Sequence, residues 1–316
     1  MEKILTQEET HIRPLHLPQD ILAVADLIEI CFASTMDQDG WEYLRRMRTW
    51  GIQLHSGFSS TLATPPPMSG FVWEENGRIV GNLGIILPRA GSRRPLIVNV
   101  AVHPDYRRRG IAKRLTEKAL HFLKSWNYPS VWLQVREDNP AALHLYEGLG
   151  FQERARRTTW IAEPSQKIHP DHFGAYVRSR RPNEWALQIA WLKRTYPEQV
   201  AWNLPLDFRR FRPGLLNQLR NLLSETPLIH FTALEHEEPL GFCTWEATSY
   251  YSDWLWIAPC PDRAARALQA LLPIMRQKFG RRRPLSINYP AGEDDETFLA
   301  CGFSPQQTLI WMEMPL

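Results

Sequence analysis

The sequence predicts a mixed α/β protein, an α+β arrangement on a mixed sheet, in two tandem domains of which the second is a degenerate copy. Three observations predict it. The chain has 316 residues, about twice the usual length of one domain. Strand and helix patterns alternate through the first half. Four short motifs then return in the second half, in the same order. Ile79-Val80-Gly81 returns as Pro239-Leu240-Gly241, Val102-His103-Pro104 as Ile257-Ala258-Pro259, Leu149-Gly150-Phe151 as Cys301-Gly302-Phe303, and Trp160 as Trp311. The offsets of 160, 155, 152 and 151 residues drift as loop deletions would make them drift.

The elements follow from pattern. His11 to Pro14 reads as a short strand, Asp20 to Phe32 as an amphipathic helix and Trp41 to Trp50 as a second helix. Asn76-Gly77 between the apolar runs Gly70–Glu75 and Arg78–Leu87 signals a hairpin. Leu96 to Val102 is almost wholly apolar, as a mid-sheet strand is. Ile111, Leu115, Ala119, Phe122, Leu123 and Trp126 repeat at helical spacing, which packs one face on that sheet. Val131 to Val135 is a further buried strand. Asn139-Pro140 supplies an N-cap and a first-turn proline for a helix closing at a glycine. Phe151 and Thr158 to Ala162 give the last strands of a domain placed at residues 1–163. Residues 164–184 are polar and aperiodic and read as a linker, and 185–316 form the second domain, with a helix from Arg263 to Phe279.

Composition excludes several classes. With 44% hydrophobic and 22% charged residues, the chain is folded, not disordered. A net charge of +3 is too mild to imply nucleic acid, but it suits a local phosphate site. The tripeptide Arg281-Arg282-Arg283 has no interleaved stacking aromatics. Cys31, Cys243, Cys260 and Cys301 form no CxxC pair and read as buried thiols of a reducing compartment. His169-Pro-Asp-His172 lacks a nearby third ligand and reads as a linker turn, so no metal is expected. The first residues, MEKILTQEETHIRP, lack the apolar core of a secretory signal. No run approaches the ~18 apolar residues of a membrane span. The expectation is a cytoplasmic protein with neither a membrane nor a nucleic acid partner. The 13 tryptophans are read as core.

The chemistry concentrates between Val98 and Leu115. A central strand runs through a tight turn straight into a helix. A helix start offers free backbone N–H groups and the positive end of the dipole, which together bind anions. Gly110 lets a phosphate approach the backbone, and Ala112 is small. Arg107, Arg108, Arg109 and Lys113 add positive charge around Ile111, at the helix start. This is a pyrophosphate cradle, and it matches neither GxGxxG nor GxxxxGK[ST].

Arg107-x-x-Gly110-x-Ala112 resembles the acyl-CoA loop of the GNAT acyltransferase superfamily. Asn139-Pro-Ala-Ala142-Leu-His-Leu-Tyr146-Glu-Gly-Leu-Gly150-Phe151 is similar to that family's second signature. The likeness covers residues 10 to 163 well and about 185 to 316 as a degenerate copy, an organisation shared with tandem GNAT proteins such as mycothiol synthase. The resemblance implies an acetyl-CoA-dependent N-acetyltransferase, with acetyl-CoA as acyl donor and no metal. Acyl-CoA would lie where the strand ending at Val102 splays from the one at Val131 to Val135. Backbone groups of Val100, Ala101 and Val102 would bond the pantetheine and the acyl carbonyl, and an N–H there would stabilise an oxyanion. Asn139 would hold the pantetheine arm, and Tyr146 would protonate the departing thiolate as general acid. Capping alone also explains Asn139, and core packing also explains Tyr146.

The pattern departs from the family in two places. In the related ribosomal-protein alanine N-acetyltransferases, the strand before the asparagine carries a glutamate base; here that strand reads Leu133-Gln134-Val135-Arg136. Asn99 adds no carboxylate either, which leaves Glu29 and Glu137 as candidates and the base unassigned. In the second domain the corresponding loop, Pro259 to Arg266, holds no glycine, and Phe298 stands at the Tyr146 position. That domain is expected to be catalytically silent. The acceptor amine, placed by resemblance near Phe32 to Trp50, matches nothing specific. A non-catalytic acyl-CoA-binding or regulatory protein is the alternative reading.

Overall fold

The computed structural model describes residues 11–55, 68–88, 93–165 and 175–316. They form two compact units, each assembled from separated pieces of chain. The first comprises Met1–Val135, Asn139–Glu153 and Trp311–Leu316; the second comprises Arg136–Asp138 and Arg154–Ile310. The pieces therefore cross the division into 1–163 and 185–316. Residues 154–162 of the first half belong to the second unit, and 311–316 of the second half belong to the first.

In the first unit, β1 (Ile12–Pro14), α1 (Leu17–Phe32) and α2 (Gln38–His55) precede the hairpin β2 (Met68–Glu75) and β3 (Arg78–Ile86). Asn76 and Gly77 both take positive φ, 52° and 74°, the turn geometry that matches strand twist. Next come β4 (Leu96–Val102), α3 (Ile111–Ser125), β5 (Ser130–Arg136) and α4 (Pro140–Gly148). The strands lie in the order β1-β2-β3-β4-β5. Both early helices are longer than their apolar runs; α1 begins at Leu17 with a proline in its first turn.

The α3 periodicity is realised: Ile111, Leu115, Ala119 and Leu123 are buried. Trp126 is not part of that face; it caps the helix and is 60% exposed. Gly81 explains one of the recurring motifs. A Cβ there would stand 2.9 Å from the Ile111 side chain, and one at Gly241 would stand 2.8 Å from that of Ala267. Each glycine lets a helix close on its sheet. On the other side, Ile21, Val24, Ile28, Leu44, Met47 and Val72 make a core under α1 and α2.

The second unit holds β6 (Gln152–Ala162), β7 (Tyr176–Ser179), α5 (Trp185–Thr195), α6 (Glu198–Ala201), α7 (Leu215–Leu222), β8 (Leu228–Glu235) and β9 (Glu238–Glu246). It continues with β10 (Asp253–Pro259), α8 (Ala264–Phe279), β11 (Leu285–Pro290), α9 (Asp295–Ala300) and β12 (Ser304–Pro315). Its order is β12-β6-β11-β10-β9-β8-β7. The segment read as linker thus carries β7, paired antiparallel with β8. Strand β6 pairs antiparallel with β11 from Arg157↔Pro290 to Ala162↔Leu285, and Trp160 and Ala162 join this unit's core. Arg157, 3% exposed, donates to the side chain and carbonyl of Asn288 and to the Thr195 carbonyl, at 2.8 to 3.0 Å. Burial lowers its pKa to about 10. In the first unit, the Leu316 N–H donates to the Pro129 carbonyl at 3.1 Å, and the final strand is the neighbour of β5.

Candidate active site

Strand β4 makes the site by leaving its neighbour. It pairs parallel with β5 only at Leu96↔Trp132 and Ile97↔Leu133. Its pairing with β3 continues to Val102↔Gly81, with a bulge opposite Leu83. At that bulge Asn99 sits in the left-handed region with φ 52°. The His103 N–H donates to the Val80 carbonyl at 2.9 Å. By the alternation of antiparallel pairs, the N–H and C=O of Val102 turn away from β3, towards the side β5 has vacated. Ala101 is buried and pairs with Asn82, so its backbone groups face β3. The Val102 carbonyl already accepts from Arg107 Nε at 3.2 Å and from the Cys31 thiol at 3.3 Å. Burial pushes that thiol up, against the opposing pull of Arg107. What Val102 has left to offer is its N–H.

The loop read as a pyrophosphate cradle lies one short 3-10 turn (Pro104–Tyr106) further on. Arg108 and Gly110 both take left-handed φ, 64° and 77°. A Cβ on Gly110 would find only Arg114 Nε, at 3.9 Å. The glycine is therefore required by its backbone angle and not by crowding. Arg114 N–H closes the first helical bond on the Gly110 carbonyl at 3.0 Å. The N–H groups of Ile111, Ala112 and Lys113 precede that bond and lack helical acceptors. Arg107, Arg108, Arg109 and Lys113 are exposed around them. Arg109 lies over the Tyr106 ring at 4.8 Å and 3.5 Å from Glu75, and Lys113 reaches Glu117 at 3.9 Å. These contacts are loose, and exposed pairs of this kind hold little energy. The charges stay available to an anion.

Asn139 caps α4, its Oδ1 accepting the Ala142 N–H at 3.1 Å; it is exposed, and its amide nitrogen is not used in the cap. Tyr146, on the same helix, is 6% exposed and packs edge-on to Phe151 at 5.7 Å. Its hydroxyl has no hydrogen-bond partner among the described residues. Burial raises its pKa well above the ordinary tyrosine range.

The two candidate bases are both engaged by arginines. Glu29 is held by Arg48, between α1 and α2. Glu137 is held by Arg156, in the second unit. Gln134 on β5 is half-buried. Asn99 donates its amide to the Tyr43 hydroxyl at 3.2 Å, and its carbonyl accepts from Asn82 at 2.8 Å. Sequence reasoning missed Tyr43, Asn82 and the bulge. The one available signal was an asparagine inside an apolar strand, since asparagine tolerates left-handed backbone. Among the described residues no cluster of three His, Cys, Asp or Glu side chains stands ready for a metal; His169 and His172 lie outside them.

The second unit repeats this geometry without the groups. β10 and β11 pair parallel only at Asp253↔Leu285 and Trp254↔Ser286. On the strand that splays away, the Ile257 N–H, at the repeat position of Val102, donates to the buried Tyr196 hydroxyl at 3.2 Å. α8 starts at Ala264 from Arg263 at φ −138°, with no left-handed glycine. Phe298, at the Tyr146 position, is fully buried.

Residues 26–151 match the model of the acetyltransferase (GNAT) family. An alanine N-acetyltransferase of ribosomal protein bS18 from Salmonella typhimurium is 39% identical over 75 residues, which are 24% of this chain and 49% of that protein. The chain thus spans about half the length of that relative. An acetyltransferase of Yersinia pestis is 31% identical over 112 residues, 35% of this chain and 76% of its own. In fold, a tandem GNAT protein of the clavulanic acid biosynthesis pathway superposes with a TM-score of 0.53 at 15% identity, covering 96% of this chain and 98% of its own. The chain belongs to the GNAT acetyltransferase family, in the tandem form of its fold.

Proposed function

We propose that the first unit is an acetyl-CoA-dependent N-acetyltransferase that acts on a primary amine of a small molecule or peptide by direct attack. The observation that carries this reading is the vacated edge of β4, followed at once by the helix start at Gly110 with its four exposed cations. The residues fit the donor. The N–H groups of Ile111 to Lys113 and the side chains of Arg107 to Arg109 and Lys113 suit a pyrophosphate. The outward backbone groups of Val100 and Val102, and Asn139, suit the amides of the pantetheine arm, whereas those of Ala101 are turned to β3. Bound acetyl-CoA supplies an activated acyl carbon. The Val102 N–H offers a donor where negative charge develops on oxygen.

Tyr146 remains protonated at any working pH, because burial disfavours its anion. An ordinary thiol has a pKa near ~8.5, so complete proton transfer from so weak an acid is uphill. Tyr146 acts by a hydrogen bond that strengthens as sulfur gains charge, with the proton following and the phenol then reprotonated from water. Neither Asn99 nor Gln134 takes up a proton, so the amine attacks as the neutral species and the proton its nitrogen then sheds passes to water. Thiol release from acetyl-CoA, measured against a panel of amines, polyamines, amino acids and peptide N-termini, tests the reading. Turnover with none of them, at full acetyl-CoA binding, would refute it.

The engagement of both candidate bases, Glu29 and Glu137, by arginines favours a second reading, a protein that binds acyl-CoA without turning it over. The same panel separates the two.

A further inference from the structure

In the second unit, α7 and the residue after it leave five leucines bare. Leu215, Leu216, Leu219, Leu222 and Leu223 keep 85, 85, 59, 84 and 78% of their surface exposed. Their spacing puts all five on one helical face. A continuous apolar stripe of this size on a soluble surface marks an interaction site. The polar residues of the same helix, Asn217, Arg220 and Asn221, line a cavity of about 450 Å³ together with Arg209, Arg210 and Thr226. Arg209 is paired with Asp207 and Arg210 with Glu246, whereas Arg220 has no partner among the described residues. Residues 207–225 contain four arginines and two acids, Asp207 and Glu225, which leaves Arg212 and Arg220 as the arginines not held in an ion pair among the described residues. α7 is a short amphipathic helix with one arginine, Arg220, beside an arginine-lined cavity.

We propose that α7 docks this protein on the surface of an anionic phospholipid bilayer, with the leucine face in the acyl boundary and lipid phosphates at Arg212 and Arg220. Charge complementarity selects this occupant. A bilayer offers the apolar layer and the negative charge together. No helix among the described residues is long and apolar enough to cross a membrane, and a surface helix does not need to be. The sequence-level expectation of no membrane partner rested on the missing span alone.

The test uses the full chain in flotation with vesicles of phosphatidylglycerol and phosphatidylcholine, mixed about one to two, against phosphatidylcholine alone. Binding to the anionic vesicles should be at least ~10-fold tighter and should weaken several-fold as salt rises from about 0.05 to 0.5 M. The double variant Leu216→Asp/Leu222→Asp should lose at least ~10-fold, and Arg220→Glu several-fold. Both replace exposed side chains, and an unchanged thermal melt confirms their fold. No preference for anionic vesicles, or one that survives the double variant, overturns the proposal. So does a dimer in lipid-free buffer that the double variant converts to monomer, which makes a second copy the occupant. Inorganic phosphate binding without vesicle binding overturns it too, leaving only a small-anion site.

Discussion

Trp160 and Phe298 stack face to face, with ring centroids 4.8 Å apart and planes 12° apart. They come from opposite halves of the sequence. Phe298 stands where the first half has Tyr146, and Trp160 rides on β6, which the second unit takes from the first half. Trp160→Ala should therefore destabilise the second unit, by about 3–5 kcal/mol as large buried aromatics do. Denaturant unfolding followed by a second-unit probe measures this, and a loss below about 1 kcal/mol would show that the stack carries little weight.

Gly110 carries the next expectation. Its φ of 77° with open space around it means that a side chain is penalised by backbone strain, about 1–2 kcal/mol. Gly110→Val should also shield the N–H groups behind it and lower acetyl-CoA affinity at least ~10-fold. Gly110→Asn, which tolerates the left-handed angle, should recover the stability. Calorimetry showing unchanged affinity for Gly110→Val would remove the cradle assignment.

Stoichiometry distinguishes the two units. The second unit lacks the left-handed glycine, and its Ile257 N–H is already bonded to Tyr196. One acetyl-CoA per chain is the expected titration result. Two equivalent sites would show that the second unit is not silent.

Tyr146→Phe removes one oxygen and keeps the ring against Phe151. Packing and acetyl-CoA affinity should hardly change, while kcat falls within the ~10²–10⁴-fold range of general acid catalysis. Wild-type turnover in this variant would reduce Tyr146 to a core residue. The pH profile of the wild type should show no loss attributable to the phenol below about pH 10, because burial moves its ionisation upward.

Acid should weaken the second unit through His230. Its Nδ1 lies 2.8 Å from the Thr244 hydroxyl, and burial, helped by the charge of Arg180, depresses its pKa from 6.5 to about 3. The folded state thus binds this proton less readily than the unfolded chain. The contribution is complete above pH 6.5 and drains away as pH falls towards about 3. His230→Gln should flatten the stability profile between those values. An identical acid slope in the variant would assign the loss to other groups.

Much of this was legible in the chain. The Asn76-Gly77 turn, the buried face of α3 and the Asn139-Pro140 cap each follow from a local rule that tertiary packing did not override. The repeat was legible because a glycine is needed wherever a helix lies close on its sheet, at Gly81 and again at Gly241. The exchange of strands was hidden for the same reason. β6 and β12 are equivalent members of the repeat, with Trp160 and Trp311 in matching places, so pattern alone does not say which sheet each one joins. Tyr43 was hidden because its partner Asn99 depends on a bulge, and a bulge leaves little trace in periodicity.

The position of β12 also sets a clock. The neighbour of β5 in the first unit is the segment 311–316, which follows β6 by about 150 residues. At ribosomal speeds of roughly 5–20 residues per second, that interval is on the order of ten to thirty seconds. Throughout it, β5 presents a hydrogen-bonding edge with its native neighbour still unmade, next to a chain rich in other strands. Such an edge recruits whatever β-segment arrives first. The nascent protein is thus exposed to mispairing during synthesis for reasons of topology.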